Sequence, residues 1–164
     1  MRLYLLLSLF FMGLFTACSA PPPPPKTFPF YKQRLAYDCA PSCLKMVYAY
    51  YGEQYPEAEL MRRLKTTKKG TTFKAMLDLS NELGFTTMLV HVNIDFLKEQ
   101  IKLPCIVDWN GNHVVVVYKV DGDRIYIADP ADSLVSYDKA VFMQHWRKRA
   151  DAANRGIALV IYKL

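Results

Sequence analysis

The hydrophobic positions change their spacing about halfway along the chain. The first half has the helical spacing, and its clearest example is a predicted helix at 39–51, ended by Gly52, with an apolar face of Cys43, Met46, Val47 and Tyr50. Further helices are predicted at 56–64, 72–83, 94–100 and 137–147. The second half has β-branched or alternating runs, which predict strands at 86–92, 104–108, 113–120, 124–128 and 157–162. This order predicts an α+β fold in which N-terminal helices pack on an antiparallel sheet.

The strands at 113–120 and 124–128 predict a hairpin around the turn sequence Asp121-Gly122-Asp123. Its register decides whether His113 and Asp129, at the open end, share a face of the sheet. A two-residue loop would put them on opposite faces, whereas a three-residue loop pairs Val120 with Arg124 and puts them on the same face. We favour the three-residue loop, because that face then also carries Val115, Val117, Ile125 and Ile127.

The N-terminus has the pattern of an export signal rather than of a folded element. Arg2 precedes an apolar run from Leu3 to Phe15, which is shorter than the ~20 residues of a membrane-spanning helix. Small residues then lead to Cys18, as in a bacterial lipobox, although Phe15 is aromatic. We predict a signal peptide at 1–17 and, at 18–30, an acylated Cys18 with a proline-rich tether; an ordinary cleaved signal is the alternative. The predicted location is the bacterial cell envelope, with the lipid in a membrane and the protein facing the periplasm or the exterior.

Composition and charge restrict the partners. The 164 residues carry a formal charge of +6, which falls to +5 without residues 1–17 because Arg2 is the only charged residue among them. We interpret this positive charge as a solvated basic surface rather than as a surface that docks to an anionic membrane. The sequence has neither a Gly-x-x-x-x-Gly-Lys-Ser/Thr loop nor a nucleic-acid-binding motif. No nucleic acid partner is expected, and an ATP-driven exporter would be a separate chain.

The candidate chemistry begins with Cys39, at the predicted start of a helix and six residues after Gln33. The helix dipole and the unpaired N–H groups of the first turn favour a thiolate there. A glutamine just upstream can donate its amide to a developing oxyanion. His113 could accept the thiol proton, and Asp129 could hold the other ring nitrogen. Together these four residues predict a cysteine hydrolase, although a structural histidine and a turn aspartate are the alternatives for His113 and Asp129 taken singly.

The remaining cysteines have other predicted roles. Cys43 lies one helical turn after Cys39, and Cβ atoms at that spacing are ~5–6 Å apart, beyond the ~3.5–4.5 Å of a disulfide. Cys43 and Cys105 are therefore expected to be small core residues, and a bridge between them is left open. No Cys-x-x-Cys is present and only three histidines occur, so neither a metal site nor a cofactor is expected.

The chain resembles the bacteriocin-processing peptidases, papain-like cysteine proteases usually found fused to peptide-exporting ABC transporters. The resemblance is carried by Gln33 with 38–46 and 50–52, by 70–73 leading to 83–85, by 103–109, 112–116 and 128–130, and by Ser136 and Trp146. One departure is Ala40, where the family usually has glycine after the nucleophile. The resemblance implies a papain-like peptidase domain at 31–164.

By this resemblance Cys39 is the nucleophile, His113 the base, Asp129 its orienting residue and Gln33 the oxyanion donor. The implied activity is cleavage of exported leader peptides after a double-glycine-type site, with a separate ABC-type exporter as a possible partner. A leader-binding module without cleavage and a papain-like cell-wall peptide hydrolase are the alternatives. Tyr37 and Trp109 are candidates for the walls of a narrow substrate groove, because they lie close in sequence to Cys39 and His113.

Overall fold

The computed structural model describes residues 28–146 and 155–163. The predicted signal peptide, Cys18 and nearly all of the proline-rich tether lie outside the described residues. The described elements follow the chain as α1 (Cys39–Tyr50), α2 (Glu57–Arg63), α3 (Phe73–Glu82), β1 (Thr86–Val92), α4 (Ile94–Glu99), β2 (Cys105–Trp109), β3 (His113–Asp121), β4 (Arg124–Ala128), β5 (Leu134–Asp138), α5 (Lys139–Trp146) and β6 (Gly156–Tyr162). Among these residues, no helix is both long and apolar enough to cross a bilayer.

The strands form one antiparallel sheet of six strands in the order β1-β6-β2-β3-β4-β5. The sheet lies between two layers of helices. On one face, α1, α2 and α3 pack over Ile106, Val114, Val116, Leu159 and Ile161. On the other face, α4 and α5 pack over Cys105, Val107, Val115, Val117 and Ala158. Because successive side chains of a strand point to opposite faces, the central strands β2 and β3 are apolar on both sides. The predicted α+β fold is confirmed.

The hairpin of β3 and β4 corrects the predicted loop. Asp121 pairs with Arg124, so the loop contains two residues rather than three. The register then shifts by one residue between Val117 and Lys119, which leaves Tyr118 as a bulge. Beyond the bulge, Val117 pairs with Ile127 and Val116 with Ala128, the pairing that a three-residue loop would have produced. The predicted register near His113 and Asp129 is therefore confirmed, although its cause is the bulge and not the loop.

Strand β5 is absent from the sequence prediction, and the helix predicted at 137–147 begins only at Lys139. Tyr137 and Asp138 belong instead to β5, where Tyr137 pairs with Ile125 and Asp138 with Arg124. The strand lies at the edge of the sheet and its residues are half-buried or exposed. An edge strand of this kind lacks the strong apolar alternation that identifies buried strands from sequence.

Candidate active site

Cys39 is the first residue of α1, and its free thiol is half-buried. The residue before it, Asp38, occupies the N-cap position but does not cap the helix with its side chain. Its fully buried carboxylate instead accepts the backbone N–H groups of Arg34 and Leu35 at 3.1–3.2 Å. The hydrogen bonds of Asp38 thus close the turn that leads from Gln33 into the helix. The N–H groups of the first turn have no intrahelical partner and favour negative charge next to Cys39.

His113 and Asp129 form a direct pair, with Nε2 of the histidine 2.7 Å from Oδ1 of the aspartate. Both side chains are largely buried, with 19% and 14% of their surface exposed. Asp129 is itself held by the Ala131 N–H, which donates to the same carboxylate oxygen at 2.9 Å. Burial acts to raise the pKa of Asp129, but the hydrogen bonds from His113 and Ala131 outweigh it and lower that pKa. Asp129 is therefore a carboxylate that accepts from Nε2–H and leaves Nδ1 of His113 for another partner.

The side chain of His113 also forms a hydrogen bond with Cys39. Burial alone would lower the pKa of His113, but the hydrogen bonds to Asp129 and to Cys39, together with the charges of both groups, raise it to about 9. His113 is consequently protonated at neutral pH. The side chain of His113 is thus bonded to the carboxylate of Asp129 and to Cys39.

The backbone of Gln33 bonds to the segment that follows Asp129, and its side chain bonds within its own turn. Its N–H donates to the carbonyl oxygen of Pro130 at 2.8 Å, directly after Asp129. Its side-chain Nε2 donates to the carbonyl oxygen of Leu35 at 2.7 Å, while Oε1 is buried without a hydrogen-bond partner among the described residues. An amide nitrogen has two hydrogens, so one N–H of Gln33 remains for another acceptor.

The other two described cysteines are buried and free. The Cys43 thiol donates to the carbonyl oxygen of Val114 at 3.4 Å, which joins α1 to the strand that carries His113. Burial raises the pKa of Cys43 well above its usual value, and the neighbouring Cys39 and Asp129 add to the rise. Burial likewise raises the pKa of Cys105 to about 12. Cys43 and Cys105 pack on opposite faces of the sheet, so the bridge that the sequence left open is not formed.

A cleft of about 500 Å³ contains both Cys39 and His113. One side of this cleft is formed by residues of the α2–α3 segment and of the first turn of α3. The other side is formed by Asp108, by the β2–β3 turn and by the start of β3. Sequence reasoning assigned no role to the α2–α3 segment, although residues 70–73 are part of the resemblance. The signal that could have identified it is Thr72, which caps α3 by accepting the Ala75 N–H and so fixes this side of the cleft.

The two predicted groove residues, Tyr37 and Trp109, are not among the residues that line this cleft. Trp109 is only 4% exposed; its ring stacks on His145 at 4.6 Å and packs against Phe142 at 5.5 Å. The proposal of a groove wall at Trp109 is therefore corrected. Trp109 pairs with His113 across the turn, but its side chain joins the core under α5, on the opposite face from α1. In the described part of the chain, no group of three or more His, Cys, Asp or Glu side chains could hold a metal ion.

Comparison with known proteins places the chain in a defined family. Residues 27–151 match the Peptidase C39 family, and the chain belongs to that family. It is therefore a cysteine peptidase of the bacteriocin-processing type, and the predicted papain-like fold is confirmed.

Two relatives illustrate the similarity at the level of sequence. The chain is 28% identical over 103 residues to the colicin V secretion/processing ATP-binding protein CvaB of Escherichia coli, covering 63% of this chain and 15% of that protein. It is 31% identical over 116 residues to the mesentericin-Y105 transport/processing ATP-binding protein MesD of Leuconostoc mesenteroides, covering 66% and 16%. The chain thus spans about one sixth of the length of these curated relatives.

Two solved structures are similar over most of the chain. A double glycine motif protease from an AMS/PCAT transporter, in complex with the leader peptide, superposes with a TM-score of 0.73 at 27% identity, covering 83% of this chain and 91% of that one. The peptidase domain of Streptococcus ComA, a bi-functional ABC transporter of a quorum-sensing pathway, gives a TM-score of 0.73 at 25% identity, covering 84% and 99%.

Proposed function

We propose that the protein is an endopeptidase that cleaves exported peptides after a double-glycine-type site in a leader. In this proposal Cys39 is the nucleophile, His113 the acid and base, Asp129 the residue that orients His113, and Gln33 an oxyanion donor. One observation carries the assignment: His113, held by Asp129 at 2.7 Å, lies in the same cleft as the half-buried Cys39 at the start of α1.

The first half of the reaction forms an acyl-enzyme. The Cys39 thiolate attacks the carbonyl carbon of the scissile peptide bond, and the carbonyl oxygen becomes an oxyanion. The free N–H groups at the start of α1 and the remaining amide hydrogen of Gln33 donate to that oxyanion. As the C–N bond breaks, the His113 imidazolium gives its proton to the leaving amine, and the C-terminal fragment departs.

The second half regenerates the enzyme. Neutral His113 removes a proton from a water molecule, which attacks the thioester carbonyl. The C–S bond breaks, the leader leaves with a new carboxylate, and the Cys39 thiolate is again paired with an imidazolium. Asp129 keeps its hydrogen bond to Nε2–H throughout, so the same ring nitrogen of His113 exchanges the proton in both halves.

The double-glycine specificity is supported by the relatives. One similar structure is a double glycine motif protease with its leader peptide, and several relatives are secretion or transport proteins with a processing function. A separate ABC-type exporter that delivers the leader-bearing peptide is part of the proposal. Anchoring in the bacterial cell envelope through an acylated Cys18 is also part of the proposal. This part rests on the sequence pattern of residues 1–25 alone.

The test uses the full-length chain in detergent and three sets of peptides. They are a double-glycine leader peptide, the same peptide with each glycine in turn replaced by valine, and peptides of the cell-wall type. We expect cleavage after the glycine pair and at least a tenfold lower kcat/KM for each valine peptide, because the larger side chains must be accommodated beside Cys39. Equal rates for glycine and valine peptides would contradict the specificity, and cleavage of cell-wall peptides alone would assign the site to a cell-wall hydrolase. The Cys39→Ala chain, which keeps the fold but lacks the nucleophile, is the control.

A further inference from the structure

The side of the cleft formed by the α2–α3 segment is positively charged. Lys65 and Lys69 both line the cleft that contains Cys39 and His113, and both are exposed. Within the described residues, neither lysine forms an ion pair. We refer to Lys65 and Lys69 together as the lysine rim. The first carboxylate after the rim in sequence is Asp78, and that side chain pairs with Lys74 at 2.6 Å.

The backbone under the lysine rim is held in one conformation by local hydrogen bonds. The Gly70 N–H donates to the Thr67 carbonyl oxygen at 2.8 Å, and the Lys69 N–H donates to Thr67 Oγ1 at 3.2 Å. Gly70 closes this turn with a positive φ of 83°. Glycine adopts such an angle without strain because it has no Cβ atom. Just outside the turn, the hydroxyls of Thr66 and Thr71 contact each other at 2.8 Å. A charge carried by an ordered turn loses less entropy when it binds an opposite charge than one carried by a mobile loop.

The opposite side of the cleft does not neutralise the lysine rim. Its carboxylate, Asp108, is only 2% exposed and accepts the Gly111 N–H at 3.1 Å. His113, which also lines the cleft, is paired with the Asp129 carboxylate at 2.7 Å and so adds no unpaired positive charge. A peptide lying in the cleft therefore meets the two exposed lysines on one side, whereas the carboxyl group of Asp108 on the other side is buried and accepts a backbone N–H of the turn.

We propose that the lysine rim is a specificity element that binds an aspartate or glutamate side chain of the peptide substrate close to the scissile bond. This rests on the proposed function and narrows its substrate class to peptides with an acidic residue near the cut. Because the lysine rim and Cys39 line the same cleft, the acidic residue lies close to the scissile bond.

The experiment compares peptides that differ only in one side chain. Double-glycine peptides are made with glutamate, glutamine or lysine at each of the three positions on either side of the cut, and every peptide has an amidated C-terminus so that only a side chain can supply a carboxylate. For the full-length chain we expect glutamate to exceed lysine in kcat/KM by about tenfold at one position, and the ratio to fall as salt is raised, since partly exposed charges are screened. Equal rates at all positions would overturn the proposal.

The chain provides a matched control within the same turn. Lys68 is exposed and lies beside Lys69, but it is not among the residues that line the cleft. Lys69→Glu and Lys65→Glu should reverse the preference from glutamate to lysine peptides, while Lys68→Glu, with the same change in net charge, should keep it. A reversal of equal size in Lys68→Glu would mean that only the overall charge acts, and would overturn the assignment to the rim. Lys69→Gln should reduce the preference without reversing it.

Binding separates this proposal from the proposed function. In the Cys39→Ala chain, fluorescence anisotropy with labelled glutamate and lysine peptides measures Kd without cleavage. Tighter binding of the glutamate peptide that disappears in Cys39→Ala/Lys69→Glu supports the rim even if no peptide is cut, in which case only the proposed function fails. If double-glycine peptides are cleaved but neither kcat/KM nor Kd depends on the charge of the peptide, the proposed function stands and the proposed role of the lysine rim is contradicted.

Discussion

The backbone N–H of Gln33 donates to the carbonyl oxygen of Pro130 at 2.8 Å, and this bond joins the segment before the catalytic helix to the residue after Asp129. The two segments are far apart in sequence and carry different parts of the proposed chemistry. Gln33 belongs to the turn that leads into Cys39, whereas Pro130 follows the carboxylate that holds His113. A movement of the β4–β5 loop would therefore change the position of Gln33 as well as that of His113.

Replacing Gln33 tests the oxyanion role directly. Gln33→Ala removes the remaining amide hydrogen but keeps the backbone bond to Pro130, so we expect kcat to fall by about 10²-fold with little change in KM. Steady-state kinetics with a double-glycine peptide measures both constants. A parallel rise in KM with unchanged kcat would instead indicate that Gln33 only binds substrate. Unfolding in urea serves as the control, because the lost hydrogen bond to Leu35 should cost only about 1 kcal/mol.

The pH dependence of cleavage should report the ionisation of His113. The leaving amine needs a proton from the imidazolium, so kcat/KM should fall on the alkaline side as His113 loses its proton, with an apparent pKa of about 9. Asp129→Asn keeps the shape but removes the carboxylate that raises this pKa. The alkaline limb should therefore move to lower pH, and kcat should fall by on the order of 10²-fold. An alkaline limb that does not move would show that another group is titrating.

Thiol alkylation distinguishes Cys39 from Cys43. At neutral pH, iodoacetamide should modify Cys39, because it is half-buried beside a protonated histidine, and should spare Cys43, whose pKa is raised by burial. Peptide mapping by mass spectrometry locates the label. Cys39→Ala should abolish cleavage, while Cys43→Ala should keep most of it and lose about 1 kcal/mol of stability with the contact to Val114. Labelling confined to Cys43 would refute the assignment of the nucleophile.

The sequence predicts most of the fold because its strongest signals are local. The helical spacing after Cys39 and the β-branched run after His113 each identify an element that the structure contains. The close pairing of His113 with Asp129 was also predictable, since it follows from strand alternation once the register is chosen. The bulge at Tyr118 was not predictable, because an inserted residue leaves the apolar run of β3 uninterrupted. Only the pairing with the partner strand reveals the bulge.

The cleft was less predictable than the residues proposed to be catalytic. Trp109 was assigned to the groove from its closeness in sequence to His113, but alternation with Cys105 and Val107 in β2 already places it on the face covered by α5. The role of Lys65 and Lys69 could not be derived from sequence, since a lysine-rich turn is usually a solvated surface. Their position opposite the β2–β3 turn depends on tertiary packing of segments that are distant in the chain.

Anchoring through Cys18 is tested on the mature protein. Mass spectrometry of the N-terminal peptide should find Cys18 as the first residue, carrying acyl chains, because small residues precede it and a proline run follows. Cys18→Ala should release the protein from the membrane fraction, whereas Cys39→Ala should remain there. An unmodified N-terminus that begins at any other residue would exclude the lipid anchor.

The contact of Gly156 with Trp146 predicts a strict size limit in the core under α5. A Cβ atom at Gly156 would lie 2.3 Å from Cε2 of the Trp146 ring, well inside van der Waals contact. The ring is fully buried and its Nε1–H donates to the Ile157 carbonyl oxygen at 2.9 Å, so it cannot move aside without losing that bond. Gly156→Ala should therefore destabilise the protein by about 1–3 kcal/mol in urea unfolding.

A double-mutant cycle isolates this clash. Trp146→Phe removes the five-membered ring that contributes to the overlap, at the cost of the hydrogen bond to Ile157. If steric overlap is the cause, Gly156→Ala should cost much less in the Trp146→Phe background than in the native chain, and the two changes should be non-additive by more than about 0.5 kcal/mol. Additive losses would show that the cost of Gly156→Ala does not arise from overlap with the Trp146 ring.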